Sequence, residues 1–303
     1  MSKLTIALDW TPNTNHTGFF VARELGFYRE KNIDLDIISP EADGYSVTPA
    51  KKLETDEVDF AIVPTESLIS LLLKENKVDV KGIAAILRED TSSLVTLASS
   101  DVVRPKQLDG KRYASYKARY EDKIVKQVII NDGGTGEVTI GYPEKLGIWD
   151  TILTGEFDAT WIFNAWEGIE AQTQGIALNY FNLKDYGVPY GYSPLIIAKT
   201  AYIESRQDVF TDFMSATREG YLFAQQNPEK AIEILSNHIP EKDLKRIDIL
   251  KSQLYVNNYY GVENTWGKME LDVFQEFTQW LTENGIAEGE IRASDLFTNA
   301  LIA

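Results

Sequence analysis

Leu8-Asp9-Trp10-Thr11-Pro12-Asn13-Thr14-Asn15-His16-Thr17-Gly18 stands between a short apolar strand pattern at residues 4–8 and a helix pattern that begins near Phe19. One turn therefore holds a carboxylate, an indole, amides, an imidazole and several hydroxyls, and few of these belong in an apolar core. A polar loop between a buried strand and a helix is where open α/β sheets place ligands, outside the carboxyl ends of their strands. An ordinary turn needs neither Trp10 nor His16. Asp9, Trp10, Asn13, Asn15 and His16 are thus candidate ligand contacts.

Outward from this loop, strand and helix patterns alternate. Residues 4–8, 34–39, 59–63 and 80–87 read as strands, with helical stretches at 19–31, 46–53 and 66–74. A second series follows, with strands at 94–98, 112–115, 138–140, 157–163 and 194–198 and helices at 120–131, 143–153 and from 166. Such alternation predicts parallel sheets covered by helices on both faces. The remainder, 203–303, reads as mainly helical, with stripes such as Val209, Phe213, Thr217 and Tyr221 on one face. The expected plan is two similar lobes. Lobe I comprises 1–90 plus 198–303, lobe II is an insertion of 91–197, and a ligand cleft lies between them.

Composition narrows the chemistry. The chain has 303 residues, 44% hydrophobic and 25% charged, and a formal net charge of −16, which argues against nucleic acid as a partner. Cysteine is absent, so there are no disulfides, thiolate metal sites or Cys nucleophiles, and two histidines do not make a histidine-rich metal site. Neither a metal nor a cofactor is expected. No apolar run approaches the ~18 residues of a membrane span. Met1-Ser2-Lys3 leads straight into the first strand pattern. The expected compartment is extracytoplasmic if a leader has been removed, and cytoplasmic otherwise.

Other strand ends carry further candidates. Trp161, Asn164, Trp166 and Glu167 lie where the 157–163 pattern runs into a helix, and could hold a flat heteroaromatic ring by stacking and edge hydrogen bonds. Thr65 and Glu66 start the helix after the third strand. Ser92 and Ser93 lie at the first crossing between lobes, and Tyr190 and Tyr192 lie in a Tyr/Gly/Pro loop at the return crossing. Tyr116 opens a basic turn, Tyr116-Lys117-Ala118-Arg119, suited to a phosphate or carboxylate, although such turns are commonly only solvated.

The opening motif, continued by Phe20-Val21-Ala22-Arg23-Glu24-Leu25-Gly26-Phe27-Tyr28, resembles the N-terminal signature of thiamine-precursor pyrimidine-binding proteins of ABC transporters. The resemblance extends through Arg104-Pro105, Leu108-Asp109-Gly110-Lys111, residues 158–168 and Phe297-Thr298-Asn299. It implies a type II periplasmic-binding-protein fold and a formylaminopyrimidine or hydroxymethylpyrimidine ligand. An ABC transporter permease would be the partner if the chain is exported.

That fold is shared with sulfonate-binding proteins and with fungal-type thiamine pyrimidine synthases. By resemblance the synthases' lysine and histidine fall at Val63 and Ser67, their cysteine motif near 188–194 and their phosphate loop near 116–121. None of those groups is present here, so the expectation is a binding protein rather than an enzyme. A synthase-like enzyme, or a cytoplasmic sensor or carrier of the same fold, is the alternative.

Overall fold

The computed structural model describes residues 1–302. The chain divides into two compact units, one of 1–90, 191–274 and 291–303, the other of 91–190 and 275–290. Each is built on one five-stranded sheet.

In the first unit the strands are β1 (Ser2–Ala7), β2 (Ile33–Ile38), β3 (Phe60–Val63), β4 (Val80–Ala85) and β10 (Leu195–Lys199), in the order β2-β1-β3-β10-β4. In the second they are β5 (Ser92–Leu97), β6 (Arg112–Ala114), β7 (Thr139–Gly141), β8 (Ala159–Phe163) and β9 (Leu178–Phe181), in the order β7-β6-β8-β5-β9. The two orders are equivalent. In each, the second strand from one edge runs antiparallel to both neighbours: β10 against β3 and β4, and β5 against β8 and β9. The sheets are thus mainly parallel, with one reversed strand that alternation alone did not reveal.

The first sheet's core forms because β3 is buried at every position, as a strand covered on both faces must be. Phe60 packs against Phe210 and Phe213, with ring centroids 4.5 and 4.1 Å apart, from the long Gln207–Gln226 helix. Each such buried ring contributes roughly 1.5–3 kcal/mol relative to exposure. In the second unit Val95, Ile162, Trp149, Ile152 and Ala171 form one cluster.

Two boundaries differ from those expected. Residues 191–197 go with the first unit, because β10 pairs there through Leu195, Ile196 and Ile197. Residues 275–290 go with the second. Phe277 packs edge-on against Tyr190 at 5.2 Å, and Lys123 Nζ donates to the Ile286 carbonyl at 2.9 Å. An apolar stripe shows that a helix is buried, not what it is buried against. Strand β9, unexpected from the sequence, carries a mid-strand Asn179 whose amide donates to the Val102 carbonyl.

Candidate functional site

The opening loop follows the carboxyl end of β1. Asn13 caps the short 3-10 turn Thr14–His16, accepting from the Asn15 N–H at 2.9 Å. The Asn13 amide donates to the Thr11 carbonyl, which fixes which end of that amide is oxygen. The Asn13 N–H donates to His16 Nδ1 at 3.2 Å. With that lone pair engaged, the ring proton sits on Nε2, which donates to Asp9 Oδ1 at 2.8 Å. The pattern is a capping box with histidine in place of the usual Glu or Gln. His16 is fully buried and both its nitrogens are used within the loop. It braces Asp9.

The loop is tied down from below. Thr14 Oγ1 meets Ser252 Oγ at 2.7 Å, Thr17 donates to Gln253 Oε1 at 2.6 Å, and Tyr221 donates to the Asn15 carbonyl at 2.6 Å. Gly18 is required by Tyr221, since a Cβ at 18 would stand 2.2 Å from that ring. Above these anchors Trp10 packs edge-on against Tyr45 from the β2 loop, at 5.1 Å. Tyr45 Oη accepts the Thr11 N–H. Two buried oxygens of the loop, Thr11 Oγ1 and Asn15 Oδ1, have no hydrogen-bond partner.

Other candidates of this unit are structural in part. Thr65 N–H and Oγ1 both donate to the Tyr192 carbonyl, at 3.2 and 2.6 Å, joining the turn after β3 to the chain entering β10. Tyr192 is buried against Phe274, and its Oη accepts the Glu270 N–H. Glu66 is buried in the first turn of the Thr65–Leu72 helix.

In the second unit the candidates share one sheet edge. β6 and β8 are parallel, so their carboxyl ends lie together, and the reversed β5 brings its amino end to the same side. Beyond β8 the backbone opens into a π-turn, Asn164–Gly168, a rare form that tends to mark functional positions. This turn carries Asn164, Trp166 and Glu167. The Asn164 N–H donates to the Thr91 carbonyl, and Glu167 Oε2 accepts the Phe163 N–H at 3.0 Å. Asn164 Oδ1 and Thr91 Oγ1 are buried without a partner. Ser92 is buried at the start of β5 beside them, whereas Ser93 donates to Asn182 at 2.9 Å and serves that loop. Trp161 is buried against Tyr190, at 5.4 Å.

After β6 comes the basic turn. Its Tyr116 phenol is held well above the usual range by burial, and then by the carboxylates of Glu167, Glu121 and Glu170. It therefore stays protonated and can donate. Glu121 is itself buried, which pushes its carboxyl up, while donors from Ala118, Tyr113 and Tyr116 favour the charged form. Lys117 and Arg119 are exposed and lie over the rings of Tyr142 and Tyr120. Thr11, Tyr45, Thr91 and Glu121 were not among the sequence candidates, because their roles depend on partners distant in the chain.

The NMT1/THI5-like family pattern matches residues 13–231. The chain belongs to the NMT1/THI5-like family. Among relatives, a formylaminopyrimidine-binding protein of Halalkalibacterium halodurans is 24% identical over 99% of this chain and 90% of its own length. A 4-amino-5-hydroxymethyl-2-methylpyrimidine phosphate synthase of Legionella pneumophila is 27% identical over 79% of this chain and 75% of its own. Among solved structures, an alkanesulfonate-binding protein from Xanthomonas axonopodis bound to MOPS has a TM-score of 0.73, at 10% identity and 98% coverage of both chains. The nitrate-binding protein of Synechocystis has 0.75 at 11% identity, covering 99% of this chain and 87% of the other. The fold of this NMT1/THI5-like chain is that of the periplasmic binding proteins.

Proposed function

We propose that this chain is a solute-binding protein for an aminopyrimidine precursor of thiamine, formylaminopyrimidine or hydroxymethylpyrimidine. It would work outside the cytoplasm with the permease of an ABC importer. The observation that carries the reading is the placement of unmet buried acceptors on indole-bearing segments at strand ends: Asn15 Oδ1 near Trp10 in sequence, and Asn164 Oδ1 near Trp166. In each unit taken by itself, an indole and an unmet amide oxygen suit a flat ring with an exocyclic amino group, which offers a face to the one and an N–H donor to the other. Asp9 and Glu167, each held by a hydrogen bond, are the proposed charged contacts. Trp161 and Tyr190 are proposed as the aromatic wall of the second unit. Similarity to a formylaminopyrimidine-binding protein along nearly the whole chain supports the same ligand class.

The synthase relative favours a second reading, an enzyme of pyrimidine synthesis. At the positions the resemblance assigns to the synthase lysine and histidine stand Val63, buried in β3, and Ser67. Val63 has no amine for a Schiff base to a pyridoxal cofactor, which supports binding over synthesis. Incubation with pyridoxal phosphate and iron, followed by assay for a pyrimidine product, tests this. No product is expected, whereas tryptophan fluorescence should respond saturably to hydroxymethylpyrimidine.

A further inference from the structure

The turn after β6 has the form of an anion cradle, with backbone N–H groups converging just before the Glu121–Asn131 helix and left-handed backbone at Lys117 and Tyr120. Three of its donors, the N–H groups of Tyr116, Lys117 and Ala118, are already engaged. Glu121 Oε1 accepts the Tyr116 N–H at 3.1 Å and the Tyr113 hydroxyl at 2.8 Å. Glu121 Oε2 accepts the Ala118 N–H at 3.0 Å. The Lys117 N–H between them goes to Ser115 Oγ at 3.0 Å. Glu121 is buried, so this carboxylate fills the cradle from inside.

The cradle lies at the strand edge that also carries Asn164, Trp166 and Glu167, because β6 pairs in parallel with β8. We infer that Glu121 is a specificity-determining residue: an internal carboxylate that occupies the anion cradle of this edge and excludes phosphorylated and sulfonated ligands. This rests on the reading of the chain as a small-molecule binding protein. Two effects act together. Three of the donors an incoming oxyanion would use are engaged, and the Glu121 carboxyl oxygens stand where that oxyanion would sit. A neutral aminopyrimidine escapes both, whereas its phosphate ester meets both.

Calorimetry with inorganic phosphate and with methanesulfonate tests the inference on the wild type, Glu121→Ala and Glu121→Gln, each checked for folding by circular dichroism. The wild type should bind neither anion. Glu121→Ala should gain affinity for phosphate at least tenfold above the wild-type detection limit, and that gain should shrink as salt is added. Glu121→Gln keeps one acceptor and loses the charge, so it should gain less. It serves as the test if the alanine variant does not fold. Anion binding by the wild type, or no gain in a folded variant, overturns the inference. Failure of the wild type to bind formylaminopyrimidine would count against the proposed ligand instead, since the anion arms do not depend on that ligand.

Discussion

His16 donates from Nε2 to Asp9 Oδ1 at 2.8 Å while its Nδ1 accepts the Asn13 N–H, so one buried ring fixes both the capping turn and the carboxylate at the loop's mouth. Replacing His16 with alanine removes both bonds, strands a buried N–H and opens a cavity. A loss of about 2–4 kcal/mol in unfolding free energy is expected in urea titrations. Ligand affinity should fall as well, through a disordered Asp9. His16→Gln, which can still accept the Asn13 N–H, should recover part of both.

Gly18 sits against the Tyr221 ring, and a methyl group there has no space. Gly18→Ala should cost about 1–3 kcal/mol by overpacking, seen as a lower melting temperature. Tyr221→Phe keeps the ring but loses the hydrogen bond to the Asn15 carbonyl, and should cost about 1 kcal/mol.

The unmet acceptors permit a test that separates binding from folding. Thr91→Val removes a buried hydroxyl that has no partner, so stability should be unchanged or rise by up to about 1 kcal/mol. If Thr91 serves the ligand, affinity should still fall. Trp10→Ala should weaken binding by roughly 1–3 kcal/mol, about 5- to 150-fold. Paired thermal melts and titrations of each variant give both quantities. An affinity unchanged in both would remove these residues from the proposed site.

Much of this was legible in the sequence, for physical reasons. Alternating patterns disclosed nine of the ten strands among the described residues because a buried strand must be apolar, and the polar loop after β1 stood out because Trp and His are unusual in a turn. β9 escaped because a polar amide, Asn179, interrupts its apolar pattern. The reversed strands escaped because direction leaves no mark on periodicity. His16 could be read as donor or brace until its two ring partners were known. Glu121 reads as a routine helix-start carboxylate, and nothing local says that it turns back to cap its own preceding turn.

Acid stability should follow the depressed carboxylates of the second unit. Arg104 chiefly, with the Lys106 N–H, holds Asp132 below the ordinary range, and the Thr135 N–H chiefly does so for Asp109. Their contribution is complete above the unfolded value of 3.8 and is lost as pH falls through the lower folded values. Melting temperature should therefore drop below about pH 3.8. Asp132→Asn should lower the melting temperature at neutral pH and flatten the acid limb.

The central claim is the ligand. Isothermal calorimetry of the wild type against formylaminopyrimidine, hydroxymethylpyrimidine, thiamine and taurine tests it most directly. Saturable one-site binding of one or both aminopyrimidines, lost in Trp10→Ala, with no heat from taurine, is the predicted result. Binding of taurine alone would contradict the pyrimidine assignment.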